Sequence, residues 1–156
     1  MGGKRIVKSI KDGITSFNLE KTLAVITGAA HGNGNAIATG YERAGASVIG
    51  VDIQKTNFKI NITGDISDYS IIQKVNSIVK KTDFENLVLV NNAGISKPSP
   101  SPYPNEYWDL TMNVNLKAPF MLIESLIPLL KKTKKGSIIN ITSLNAEFAF
   151  PDNPAY

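Results

Sequence analysis

Five short runs of aliphatic and β-branched residues recur along the chain, and Gly, Asn, Asp or Ser closes each one. They are "LAVITG" (23–28), "ASVIGVD" (46–52), "NFKINITGD" (57–65), "NLVLVNNAG" (86–94) and "GSIINITS" (136–143). Runs this short, apolar on both faces, suit strands covered above and below, the environment of a parallel sheet. Helical segments fill most of the gaps, so the pattern predicts right-handed strand–crossover–strand units. The expected fold is a doubly wound parallel sheet of the Rossmann type. One gap departs from the pattern. Only "IQKT" (53–56) separates the second and third strands, too short for a crossover helix, so a turn or extended connection is expected there.

The helices carry their own signals. "NGNAIATGYERAG" (33–45) places Ala36, Ile37, Tyr41 and Ala44 on one face and stops at Gly45, a C-cap residue. "SDYSIIQKVNSIVKKT" (67–82) opens with Ser67 or Asp68 as N-cap and sets Ile71, Ile72, Val75, Ile78 and Val79 at helical spacing. Residues 105–132 predict one long, largely buried helix, bent at Pro119 and Pro128. Residues 1–18 read as a basic lead-in, and 19–156 as a single domain.

Composition narrows the chemistry. Hydrophobic residues make up 42% of the chain and charged residues 19%, as in an ordinary globular protein. Cysteine is absent and His31 is the one histidine, so no thiolate or His-cluster metal site is expected. The net charge of +4 is concentrated in "MGGKRIVKSIK" at the start and "KKTKK" at 131–135. Neither run interleaves aromatic residues, so nucleic acid is not an expected partner. The second run is placed to meet the negative end of a helix dipole. No run approaches the ~20 apolar residues of a membrane span, and no signal-peptide core is evident, so the expectation is cytoplasmic and free of the membrane.

The loop "TGAAHGNG" joins the first strand to the first helix. Gly28, Gly32 and Gly34 allow a tight turn and keep side chains away from the helix N-terminus, where N–H groups and the dipole favour a pyrophosphate. The spacing G-x-x-x-G-x-G differs from the general G-x-G-x-x-G fingerprint, and glycine-rich turns also serve packing. Asp52 sharpens the reading. It ends the second strand about 20 residues on, where a carboxylate accepts hydrogen bonds from an adenosine ribose. A carboxylate there repels a 2′-phosphate, which favours NAD over NADP. His31 beside the loop would favour the extra phosphate if charged. An imidazole ordinarily titrates near ~6.5 and is mostly neutral at pH 7. The other reading of His31 is an exposed loop residue.

Taken in order, these segments resemble the short-chain dehydrogenases/reductases, from about Phe17 to the end of the chain. "TGAAHGNG" is similar to that family's T-G-x-x-x-G-x-G loop, with Asn33 where an aliphatic residue is usual. "GDIS" (64–67) is similar to the end of its third strand, and "NNAG" (91–94) to its fourth-strand signature. "NVNLKAPF" is similar to its long-helix motif. "NITS" followed by Tyr156, thirteen positions after Ser143, reproduces its serine-to-tyrosine spacing. The resemblance implies hydride exchange between a nicotinamide cofactor and a small alcohol or ketone. It assigns Asn115, Ser143 and Tyr156 to catalysis. It assigns Gly28, His31, Gly32, Asn33, Gly34, Asp52, Ile53, Asp65, Ile66, Asn92, Ala93 and Gly94 to the cofactor, with Asp65 and Ile66 at the adenine. A bend and a water-mediated proton path are implied at Asn115. The bare residues allow plainer roles: backbone contacts for Asn115, strand-end hydrogen bonds for Asn91 and Asn92, a loop hydroxyl for Ser143 and packing for Tyr156.

The chemistry fits such a set. Hydride exchange at an alcohol carbon needs a proton to move at its oxygen, which a tyrosine hydroxyl exchanges and a serine hydroxyl orients. The resemblance places Tyr156 in a Tyr-x-x-x-Lys motif, and the chain given ends at the tyrosine. A phenol without a neighbouring ammonium is a poor base, and the terminal carboxylate adds a negative charge nearby. The expectation is therefore a nearly inactive front part of a reductase. Its fifth strand would be an exposed edge, its long helix would show an apolar face, and the complete protein would be a homo-oligomer. The competing reading is a non-catalytic NAD-sensing module. A nucleotide-sugar epimerase fits less well, because its loop runs G-x-x-G-x-x-G.

Overall fold

The computed structural model describes residues 18–148 and 150–156, and nearly all of the basic lead-in lies outside them. The elements are β1 (Thr22–Thr27), α1 (Gly32–Arg43), β2 (Ser47–Asp52), β3 (Ile60–Thr63), α2 (Tyr69–Lys81) and β4 (Asn86–Asn91). There follow α3 (Asn105–Met112), a π turn (Asn113–Lys117), α4 (Ala118–Leu130), β5 (Lys135–Asn140) and a 3₁₀ turn (Leu144–Ala146). All strand pairs are parallel, in the order β3-β2-β1-β4-β5. The chain starts at the centre, runs out to β3, then crosses back to β4 and β5. That reversal lies between β1 and β4, and open α/β sheets bind ligands beyond the carboxyl ends of the strands at such a switch.

Strand alternation divides the core in two. Leu23, Val25, Ile49, Val51, Leu87 and Leu89 face α2 and α4, which contribute Ile72, Val75, Val79, Leu122 and Leu126. Ala24, Ile26, Val48 and Val90 face the other way, against Ala38, Ile37 and Tyr41 of α1. Burial raises the Tyr41 phenol pKa above its ordinary value. On α1 the inward stripe is Gly34 and Ala38, buried, with Ile37 and Tyr41, partly buried, while Ala36 is exposed. The i, i+3, i+4, i+7 row therefore runs through Ala38, two positions from the expected Ala36.

The terminators follow from residue type. Gly45 takes φ +95 and donates its N–H to the Glu42 carbonyl at 3.0 Å, closing α1. Asp68 caps α2 by accepting from the Ser70 N–H at 2.8 Å, a bond that holds its carboxyl below the usual range. The connection 53–59 between β2 and β3 contains no helix, as its length requires.

The long helix runs without a break from Asn105 to Leu130 but is not regular. Its irregularity falls on Asn113–Lys117, just before Pro119 at the start of α4. Pro119 has no N–H to donate to the Asn115 carbonyl four residues back, which explains the wider turn there. Pro128 lies in the last turn of α4 and does not end it. Lys131 follows α4 directly, whereas Lys134 pairs with Glu85 at 2.7 Å. Among the described residues no helix is long and apolar enough to cross a membrane.

Candidate active site

The glycine loop leaves β1 and is tied to both neighbouring strands. Gly28 and Ala29 donate their N–H groups to the Val51 carbonyl at 2.8 and 3.3 Å. Asn92 donates its side-chain amide to the carbonyls of Thr27 and Gly28 at 3.0 and 3.2 Å. Thr27 returns the tie, its hydroxyl oxygen accepting from the N–H groups of Asn92 and Ala93 at 3.0 Å each. Glycine is required at two of these positions. Gly28 has φ +67, and a Cβ there would stand 2.7 Å from the Asn92 amide nitrogen. A Cβ on Gly34 would overlap the Gly28 carbonyl oxygen. No side chain caps the N-terminus of α1, and a Cβ at Gly32 would meet nothing within 4 Å.

Asp52 closes the other side of the loop. One carboxylate oxygen accepts from the Ala30 N–H and the other from the Gln54 N–H, each at 2.9 Å. Each oxygen keeps a further lone pair for a ligand. Gln54 also holds His31 through a 2.8 Å bond between its Oε1 and the imidazole Nε2. Ile53 is exposed beside Asp52, an apolar surface at the end of the strand. The Gly64 N–H donates to the Asp52 carbonyl at 2.8 Å and brings the end of β3 alongside. There Asp65 makes a local turn by accepting from the Ser67 N–H and hydroxyl, both at 2.8 Å. Ile66 differs from expectation: its side chain is 6% exposed and belongs to the core against α2, so only its backbone is left to face a ligand.

A second group gathers beyond β4 and β5. Asn33, Asn92, Ala93, Gly94, Asn115, Ser143 and Tyr156 line one open cleft of about 780 Å³, with Leu116, Phe120 and Ile141 on its apolar wall. The Asn115 side chain is held at both ends: its Nδ2 donates to the Ile95 carbonyl and its Oδ1 accepts from the Ile95 N–H, both at 2.8 Å. This pins the π turn to the loop after β4. Asn91 donates to the Asn140 side-chain oxygen at 2.8 Å and fastens β5, while its own Oδ1 is buried without a partner among the described residues. The Ser143 hydroxyl oxygen accepts from the Asn145 N–H at 3.2 Å, which leaves its proton free to be donated. No Lys, Arg, Asp, Glu or His lines the cleft among the described residues.

The structure thus places the expected residues in two neighbouring groups. His31, Asp52, Ile53 and Asp65 surround the ends of β2 and β3, and the catalytic candidates share the cleft, with the glycine loop and Asn92 between them. Sequence reasoning did not single out Thr27, Gln54 or Ile95. The first opens the glycine-rich motif and was findable. Gln54 acts through its own N–H and side-chain oxygen and Ile95 through its own backbone groups, and nothing in residue type announces that.

A profile of the family described as short chain dehydrogenase matches residues 22–156. The chain is 32% identical over 152 residues to the oxidoreductase YxjF of Bacillus subtilis (strain 168), covering 88% of this chain and 59% of that protein. It is also 32% identical over 151 residues to an NAD-dependent glycerol dehydrogenase of Listeria innocua serovar 6a, covering 90% of this chain and 59% of that one. Among solved structures, a 4-hydroxyisoleucine dehydrogenase complexed with NADH superimposes with a TM-score of 0.76 at 27% identity, over 86% of this chain and 61% of its own. The chain therefore spans about three fifths of the length of these proteins.

Proposed function

The chain belongs to the short-chain dehydrogenase family, and on that premise we propose that it carries the cofactor site and catalytic set of an NAD(P)-dependent oxidoreductase acting on a small alcohol or ketone. The observation that carries the proposal is the convergence of Asn115, Ser143 and Tyr156 on one cleft beside the glycine loop. A bound nicotinamide dinucleotide would supply or accept the hydride at the substrate carbon.

The residues fit that group. The uncapped start of α1 and the open space at Gly32 suit a pyrophosphate. Asp52 has acceptor capacity left for ribose hydroxyls, and exposed Ile53 offers an adenine an apolar face. The negative charge of Asp52 favours NAD over NADP. The NAD-dependent and NADH-bound relatives are consistent with that choice.

In the cleft Ser143 donates its hydroxyl proton to the substrate oxygen and fixes its position, while Tyr156 exchanges the proton that reduction requires. Asn115 contributes through its backbone, its side chain being held in place on Ile95. A phenol with no cation beside it gives a proton more readily than it takes one. With no Lys or Arg along the cleft among the described residues, Tyr156 acts as a proton donor and slow turnover is the expectation. Self-association belongs to the same proposal, since Leu116 and Phe120 are exposed.

NADH consumption by the purified chain, followed at high protein concentration with a panel of small ketones, tests this reading. Slow turnover is expected, reduced on the order of 10²-fold by Tyr156→Phe and by Ser143→Ala. Turnover indifferent to both substitutions would overturn the assignment.

A further inference from the structure

Tyr156 lies on a segment that follows the 3₁₀ turn and belongs to no helix or strand. A side chain that exchanges a proton must be held to a fraction of an ångström, because a misplacement of about 1 Å costs on the order of 10²-fold in rate. The segment is mostly exposed, with one exception. Asn153, three residues before the tyrosine, is 5% exposed, although its neighbours Asp152 and Pro154 face solvent.

We propose that Asn153 and Ser96 form a clasp that positions Tyr156 over the cleft, a role that rests on reading Tyr156 as the proton-exchanging residue. The Asn153 side-chain amide donates to the Ser96 hydroxyl oxygen at 2.8 Å. One residue earlier the Asp152 carbonyl accepts from the Ser99 N–H at 2.7 Å, with Asp152 in the left-handed conformation at φ 58. One turn later the Tyr156 N–H donates to the Asn153 carbonyl at 3.3 Å. The tyrosine is thereby one hydrogen-bonded turn from a buried anchor.

The surface that receives the anchor is itself fixed. Ile95, the residue before Ser96, gives both backbone groups to Asn115. The Tyr103 hydroxyl donates to the Lys97 carbonyl at 2.7 Å. Residues 95–99 therefore serve as one reference for two members of the catalytic set: Asn115 is bound to it from the helix side and Tyr156 from the chain that follows β5.

The choice of asparagine supports positioning over packing. The Asn153 Oδ1 is buried with no partner among the described residues. An unmet buried acceptor costs stability, and an apolar residue of similar size would avoid that cost. What the amide adds is a directional bond to one hydroxyl, which selects one placement of the segment.

NMR of the 156-residue chain with ¹³C-labelled tyrosine rings tests the clasp, the Tyr156 signal being identified by its loss in Tyr156→Phe. Ser96→Ala and Asn153→Ala are each expected to move that signal to the position of a freely rotating exposed tyrosine. The double variant should shift it no further, and Ser96→Thr, which keeps the hydroxyl, should restore it. The Tyr41 signal serves as the fold control and should stay in place throughout. A Tyr156 signal unmoved by Ser96→Ala, or two single effects that simply add, would overturn the clasp. NADH titration of the same samples keeps the two readings apart. Absence of NADH binding counts against the dehydrogenase reading, while the Tyr156 signal decides the clasp in either event.

Discussion

β1 and β5 are both six-residue strands bonded in parallel to β4, one on each side of it. Every residue of β1 is buried, and every residue of β5 is exposed. Their ladders are similar, so hydrogen bonding does not account for the contrast. Covering does: α1 lies on one face of β1 and the α2–α4 layer on the other, whereas Ile138 and Ile139 of β5 remain open to solvent. The loops that follow differ in the same way. After β1 the chain is bound to Val51, Asp52 and Asn92 within a few residues. After β5 the ties are spread over a longer stretch: Asn140 to Asn91, the Ile141 N–H to the Asn91 carbonyl, the Ser99 N–H to the Asp152 carbonyl, and Asn153 to Ser96. The glycine loop is therefore held by the core, and the segment from Ser143 to Tyr156 by a few polar contacts.

The largest effect is expected where a Cβ would meet backbone. Gly34→Ala drives a methyl onto the Gly28 carbonyl. Loss of about 4 kcal/mol or more is expected from chemical denaturation, and a fully stable variant would break the claim that the loop is locked to α1. Equivalent truncations in the two strands sharpen the contrast next. Ile26→Ala in β1 removes a fully buried side chain and should cost about 2–5 kcal/mol. Ile138→Ala in β5, from a position 41% exposed, should cost under about 1 kcal/mol. Similar losses at both sites would mean that β5 is covered in solution.

Asp52→Asn comes third. An amide can accept from only one of the Ala30 and Gln54 N–H groups and turns a donor toward the other, so about 1–3 kcal/mol of stability should be lost. Removing the negative charge should also raise affinity for NADPH relative to NADH. An unchanged preference would take Asp52 out of the ribose site.

The smallest effect concerns the one feature the two strands share. Glu85, just before β4, pairs with Lys21 at the entry to β1 and with Lys134 at the entry to β5, each at 2.7 Å. Hydrogen bonds and charge from Lys134 and then Lys21 hold its carboxyl at about 2, below its ordinary value of 4.5. Because the folded value is depressed, this contribution is fully present above pH 4.5 and is lost as pH falls from there toward 2. Lys21 is raised in turn, chiefly by its bond to Glu85, so its share is present below its unfolded value near 10.5 and lost as pH rises through the folded one. The group is exposed and the effect modest. Glu85→Gln should flatten the acid side of the Tm–pH curve, and an unaltered acid slope would deny the linkage.

Much of the fold was legible because period and punctuation carry it: short β-branched runs for the strands, Asp68 and Gly45 at helix ends, and a gap too short for a helix between β2 and β3. The interruption at Asn113–Lys117 was less legible. Sequence marked the prolines, while the strain of Pro119 is taken up in the turn before it. In the site, glycine positions and Asp52 follow from motif spacing. The engagement of the Asn115 side chain with Ile95, and of Asn153 with Ser96, joins residues 20 and 57 positions apart, and no local pattern announces it. Ile66 shows the same limit, since this apolar residue next to Asp65 turned into the core.

Fluorescence titration of NADH with the purified chain, Asp52→Asn and Ser143→Ala tests most directly whether the cofactor side is assembled independently of the catalytic side. Saturable binding to the parent is predicted, weakened roughly tenfold, or about 1.4 kcal/mol, by Asp52→Asn and changed by less than about twofold by Ser143→Ala. Absence of saturable binding, or a loss in Ser143→Ala equal to that in Asp52→Asn, would contradict it.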